Sequence, residues 1–228
     1  YRKKMSKNNK SQNLTNLASP KIGTKIIEVS DDFFGEASRM LDDKEPVFIE
    51  DKYDEHGKWM DGWESKRRRD GGNDWAIIEL GSPGIITEID IDTSFFTGNF
   101  PPFASIEGLY SDQKPSKDSD WIEILSKTSL KGDSGNKFKL ESKTKVNFIK
   151  LQIFPDGGVA RLRLFGEVKL NWDKYDNKND LIELSSLKLG GSIVAYNNAH
   201  YGDVSALLSH GRGNTMGDGW ETLSLIHI

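Results

Sequence analysis

The densest set of groups able to transfer protons or grip anions lies between His56 and Trp75. The stretch reads His56-Gly57-Lys58-Trp59-Met60-Asp61-Gly62-Trp63-Glu64-Ser65-Lys66-Arg67-Arg68-Arg69 and runs on to Asn73-Asp74-Trp75. Acids and a histidine set beside tryptophans can have their pKa values moved toward working pH, which suits them to general acid–base chemistry. Glu64, His56, Asp61 and Asp74 are the candidates for that work. Arg67, Arg68 and Arg69 carry planar forks that bind a carboxylate through two parallel hydrogen bonds. A structural role for Asp61-Gly62-Trp63-Glu64, with the glycine turning and the tryptophan filling a core, carries equal weight. A second polar stretch, Asp92 to Phe100, ends a strand pattern. There Ser94, Thr97 and Asn99 offer hydrogen bonds to a small polar ligand, as strand-to-turn transitions often do. Arg161 and Arg163 are reserve anion binders. Their favoured reading is cross-strand pairing with Asp90 and Asp92 on a wet sheet face.

Other chemistries leave no trace. The 228 residues include no cysteine, which excludes disulfides, thiol nucleophiles and thiolate metal sites. There is no His-x-x-x-His pair, no phosphate-binding glycine loop and no Gly-x-Ser-x-Gly. Neither a metal nor a cofactor is expected. The net charge of -4 is unevenly spread: Arg2, Lys3, Lys4, Lys7, Lys10 and Lys21 lie in residues 1–21, which hold no acid. The rest is strongly acidic, so binding to a nucleic-acid backbone is not its main task. No apolar run nears the roughly 18 residues of a membrane span. Residues 1–21, rich in Asn, Ser and Lys, read as a disordered leader.

The elements that must hold these groups are strands. Ile89, Ile91, Thr93 and Phe95 alternate with Asp90, Asp92, Ser94 and Phe96. Ile149, Leu151 and Ile153 alternate with Lys150 and Gln152, and Leu162 and Leu164 with Arg161 and Arg163. Shorter strands are expected at 75–80, 105–110, 121–125 and 137–140. Turns are expected at Gly81-Ser82-Pro83-Gly84, Gly98-Asn99, Lys131–Asn136 and Pro155–Gly158. Many short strands so punctuated imply an all-β sandwich or jelly roll. One short helix is expected near Phe33–Leu41.

The chain also repeats itself. Residues 26–41 line up with residues 193–208, 167 positions later, and Asp61-Gly62-Trp63-Glu64-Ser65 recurs as Asp218-Gly219-Trp220-Glu221-Thr222. This divides the chain into a first module, 22–170; a linker, 171–191, with a short helix capped by Asp180 and Glu183; and a truncated second module, 192–222. That last piece is expected to dock loosely. Leu223–Ile228 read as a translated sequencing adapter and are set aside.

These stretches resemble the allantoicase family. The resemblance rests on Val29–Phe34, Lys58–Glu64 with Arg67–Arg69, Asn73–Trp75, Asp90–Asn99 and Phe154–Arg163, and spans residues 26–222. It implies two tandem jelly-roll modules of the galactose-binding-like type, homo-oligomeric assembly and a cytoplasmic or peroxisomal location. It also implies hydrolysis of allantoate to ureidoglycolate and urea, in purine breakdown downstream of allantoin. An arginine fork would then hold the substrate carboxylate, one of the four acid–base candidates would transfer the proton, and Ser94, Thr97 and Asn99 would orient ureido groups. Three other readings stay open: a non-catalytic discoidin-like binding module, a fragment inactive as given, and metal-dependent hydrolysis.

Overall fold

The computed structural model describes residues 14–175, 181–200, 202–213 and 215–223. Twelve strands carry the fold: β1 (Thr15–Asn16), β2 (Lys25–Val29), β3 (Tyr53–Asp54), β4 (Gly57–Lys58), β5 (Trp63–Glu64), β6 (Asp74–Asp92), β7 (Phe103–Leu109), β8 (Ile122–Ser129), β9 (Gly135–Lys139), β10 (Lys145–Phe154), β11 (Gly158–Val159) and β12 (Arg161–Val168). Most join one antiparallel assembly in the order β1-β12-β6-β10-β7-β8, with β2 and β9 also pairing to β6. The long strand β6 serves two sets of partners. Its first half, Ala76 to Glu79, pairs with β2 and β10, and its second half, Glu88 to Asp92, pairs with β9 and β12. Both halves contribute to one core: Ala76, Ile78 and Leu80 meet Ile86, Ile89 and Ile91, together with Ile106, Ile149, Leu151, Leu162 and Leu164. The result is a jelly-roll β-sandwich, its core filled by the inward members of each alternation.

Four local expectations need correction. Gly81-Ser82-Pro83-Gly84 is not a turn: β6 runs straight through it. Its small residues mark a crossing of chains, because Gly84 lies opposite Val146 and Val168, and Pro83 accepts a bond from the Lys169 amide. The alternation fails at Phe95. The strand ends at Asp92, Phe95 takes a φ of 69° and faces solvent, and Phe96 is buried with Met60 and Ala160. The helix expected at Phe33–Leu41 is a 3-10 turn over Ala37–Leu41. Finally, the folded body starts before residue 22. Thr15 and Asn16 pair with Gly166 and Phe165, and Leu17 and Ala18 are fully buried. Charge and polarity hid this short apolar run inside the basic leader.

The repeat reaches further upstream than the sequence match. A 3-10 turn at Pro20–Ile22, capped by Ser19 and closed by Gly23 at φ 98°, recurs at Leu187–Leu189 with Ser186 and Gly190 at φ 90°. The turn at Ala37–Leu41 recurs at Val204–Leu208. The helix expected between 180 and 187 is therefore replaced by this turn; Asp180 lies outside the described residues. The second copy touches the first where the Ser82 hydroxyl donates to the Lys188 carbonyl at 2.6 Å.

Candidate active site

Four loops meet at one end of the sandwich, and the short β5–β11 pair ties them together. Trp63 lies opposite Val159 and Glu64 opposite Gly158. Gly62 is needed for this approach, because a Cβ there would lie 2.5 Å from the Val159 carbonyl oxygen and 2.7 Å from the Ala160 Cα. The Trp63 ring is fully buried, and its indole N–H donates to the Asp31 carbonyl at 2.9 Å. Strand alternation then sends Trp63 and Ser65 inward and leaves Glu64 and Lys66 outward. The recurring Asp-Gly-Trp-Glu tetrad is thus both structural and site-forming: the glycine and tryptophan clamp the loop, and the clamp aims the glutamate.

Glu64 is half-buried, and its Oε1 accepts a 2.7 Å hydrogen bond from the Asn99 side-chain amide. Burial raises the Glu64 pKa above its ordinary value, and the Asn99 bond opposes part of that rise by favouring the charged form. Asn99 is held in turn, since its carbonyl accepts from the Gly158 amide at 2.8 Å. Beside this pair, Phe34 and Gly35 both donate backbone N–H groups to the Glu64 carbonyl. Phe33 carries the neighbouring side chains: the His56 ring packs 4.1 Å from its centroid, and the Lys66 ammonium lies 3.9 Å from it. Neither Lys66 nor Phe33 was singled out from sequence. The period-two step from Glu64 to Lys66 was a usable signal for the first; nothing local pointed to the second.

The other expected site residues are placed differently. Asp61 accepts from Arg161 at 2.7 Å and from the Val47 amide at 2.9 Å. Arg161 is 1% exposed and also bonds the carbonyls of Arg39, Lys44, Ala160 and Asp61. It lies opposite Asp92 in the ladder, but its guanidinium leaves the sheet for Asp61, so the wet-face pairing does not describe it. Arg163 lies opposite Asp90 and bonds Glu45 at 3.2 Å. Asp74 is buried, accepting from Arg68 at 2.7 Å and Ser30 at 2.8 Å. Arg68 also grips Asp70 with two 3.0 Å bonds. Ser94 caps its own turn through Asp92 at 2.6 Å. Arg67, Arg69 and Thr97 are exposed and make no side-chain hydrogen bond or ion pair among the described residues. Among the described residues, no three His, Asp or Glu side chains gather as a metal would require. No helix there is long and apolar enough to cross a membrane.

The allantoicase repeat profile matches residues 15–169, covering the whole sandwich from β1 to β12. The chain belongs to the allantoicase family. It is 48% identical over 209 residues to a probable allantoicase of Acinetobacter baylyi, covering 92% of this chain and 62% of that protein. It is 46% identical over 208 residues to probable allantoicase 1 of Burkholderia mallei, covering 91% and 61%. The chain thus spans about three fifths of the length of these relatives. The crystal structure of allantoicase from Saccharomyces cerevisiae superposes with a TM-score of 0.80 at 33% identity, over 94% of this chain and 64% of that one. CBM32-3, from a family 31 glycoside hydrolase of Clostridium perfringens, superposes at 0.51 with 11% identity, over 71% of this chain and 99% of that one. That likeness speaks to the shared sandwich alone.

Proposed function

We propose that this chain carries allantoicase chemistry: hydrolysis of allantoate to ureidoglycolate and urea, with Glu64 as the proton-transferring group. The observation that supports it is the Glu64–Asn99 pair, formed within a fold whose relatives are named allantoicases. Allantoate bears a carboxylate and two ureido arms on one carbon. In the reaction, the bond from that carbon to one ureido nitrogen breaks and a water oxygen takes its place. The departing nitrogen needs a proton, and the water must lose one. A carboxyl whose pKa is raised by burial holds a proton closer to neutrality than an exposed one, so it can donate to urea and be restored by the water's proton. Asn99 fixes Oε1, leaving the other oxygen to face substrate, and its own amide carbonyl can accept from a ureido N–H.

His56 lies on this face as well, its ring packed on Phe33. Asp61 and Asp74 are assigned to holding Arg161 and Arg68, and those arginines to holding loops. Ser94, Thr97, Arg67 and Arg69 remain contributors to ligand orientation at the rim. The same reading carries allantoate as the small-molecule partner, self-association, and a cytoplasmic or peroxisomal site of action. The test is urea release from allantoate, followed beside allantoate binding by calorimetry. Release that disappears in Glu64→Gln while binding persists supports the reading. Binding without release by the unsubstituted chain would favour a binding module instead.

A further inference from the structure

The proposed reaction needs a cation for the substrate carboxylate, and the arginines expected to supply it are mostly engaged. Arg68 is held by Asp70 and Asp74, Arg161 by Asp61, and Arg163 by Glu45. Arg67 and Arg69 make no ring contact, hydrogen bond or ion pair that links them to Phe33 or to the Glu64–Asn99 pair. Lys66 is different. It is exposed and lies two residues beyond Glu64, and the ring it covers, Phe33, precedes the Phe34 and Gly35 amides that bond the Glu64 carbonyl. Its amide donates to the Asp31 carboxylate at 2.7 Å, and Asp31 also receives the Phe33 amide at 3.3 Å and the Trp63 indole at its carbonyl. One residue therefore fixes the base of Lys66, the ring beneath its ammonium and the anchor of Glu64.

We propose that Lys66 is the specificity-determining cation that receives the substrate carboxylate. Its ammonium sits 3.9 Å from the centroid of Phe33 and has no carboxylate partner among the described residues. A cation over an aromatic face is held in place without being neutralised, because the ring offers a quadrupole and not a charge. It remains able to take an anion. A carboxylate on Lys66 then leaves the ureido arms facing Glu64 and Asn99. The inference rests on the allantoate reading, and it adds which residue selects an acid over its neutral analogues.

The experiment measures allantoate binding by calorimetry and urea release in parallel, for the unsubstituted chain, Lys66→Met and Lys66→Arg. Met keeps the apolar stem on Phe33 and removes the charge. The expected result is a roughly ten- to hundredfold weaker Kd and higher KM in Lys66→Met, the loss of one charge-assisted bond, with a smaller change in kcat. Lys66→Arg should recover most of the loss. Binding by the unsubstituted chain should weaken with added salt, and that salt dependence should shrink in Lys66→Met. Unchanged Kd and KM in Lys66→Met would overturn the assignment to Lys66 and leave the hydrolase reading standing. Binding that depends on Lys66 without urea release would support the assignment and sink the hydrolase reading. No allantoate binding by the unsubstituted chain would overturn both.

Discussion

The first module and the second copy contain the same short pieces in different company. Ala37–Leu41 and Val204–Leu208 form the same turn, yet Ala37, Met40 and Leu41 are buried while Leu207 is 57% exposed. Trp63 and Trp220 make the same bond, indole N–H to the carbonyl of Asp31 at 2.9 Å and of Asn198 at 2.7 Å. Trp63 is fully buried, whereas Trp220 is 37% exposed. After Val168 the described residues form no further strand. The short turns form from adjacent residues alone. Burial requires strands for those turns to cover, and in the first copy the Ala37–Leu41 turn lies against β2, β5 and β12.

The sharpest test of this contrast is catalytic. Glu64→Gln should lower urea release by about 10²- to 10⁴-fold, the range for losing a general acid–base group. The equivalent change Glu221→Gln should leave the rate within about twofold. Equal losses would mean that both copies share the chemistry.

Stability should divide the copies next. Trp63→Ala is expected to cost about 3–5 kcal/mol and Met40→Ala about 2–5 kcal/mol, from lost burial and the cavities left behind. Trp220→Ala and Leu207→Ala should each cost under about 1 kcal/mol. Chemical denaturation midpoints read both pairs, and a large cost at Trp220 would show that the second copy supports the fold. Smaller effects are expected at Gly23 and Gly190, whose φ values of 98° and 90° penalise any side chain. Gly23→Ala should cost about 1 kcal/mol. Gly190→Ala should lower the global midpoint less, because its turn covers less of the core.

The smallest effect concerns pH. The folded state holds the Glu64 proton more tightly than the unfolded chain does, because the folded pKa is raised. Stability should therefore fall as pH rises from the ordinary carboxylate range through the raised value. This slope should be shallower in Tm measurements on Glu64→Gln, where Asp90, also raised by burial, still contributes in the same direction. An unchanged slope in that variant would place its origin elsewhere.

Much of the sandwich could be read in advance, because alternation reports burial directly. Ile89 and Ile91, Ile149 to Ile153, and Leu162 and Leu164 all point where their period implies. The reading failed where a residue type has two physical uses. Gly81 to Gly84 carry turn residues, but here small size serves a crossing of chains. Phe95 and Phe96 are equally apolar, and only the end of β6 and a positive φ decide which of them is buried. Asp61, Glu64 and Asp74 are all carboxylates in one polar stretch. Their partners, Arg161, Asn99 and Arg68, separate them, and two of those lie 35 residues or more away in sequence.

By itself the sequence determined the family, the strand periods, the capped turns and the two copies of Asp-Gly-Trp-Glu. Each depends on neighbouring residues or on ordered motifs. Tertiary structure alone decided which glutamate is half-buried against an asparagine, which arginines are already occupied and which lysine stands over Phe33. These are properties of distance and desolvation, set when remote loops meet at the end of the sandwich.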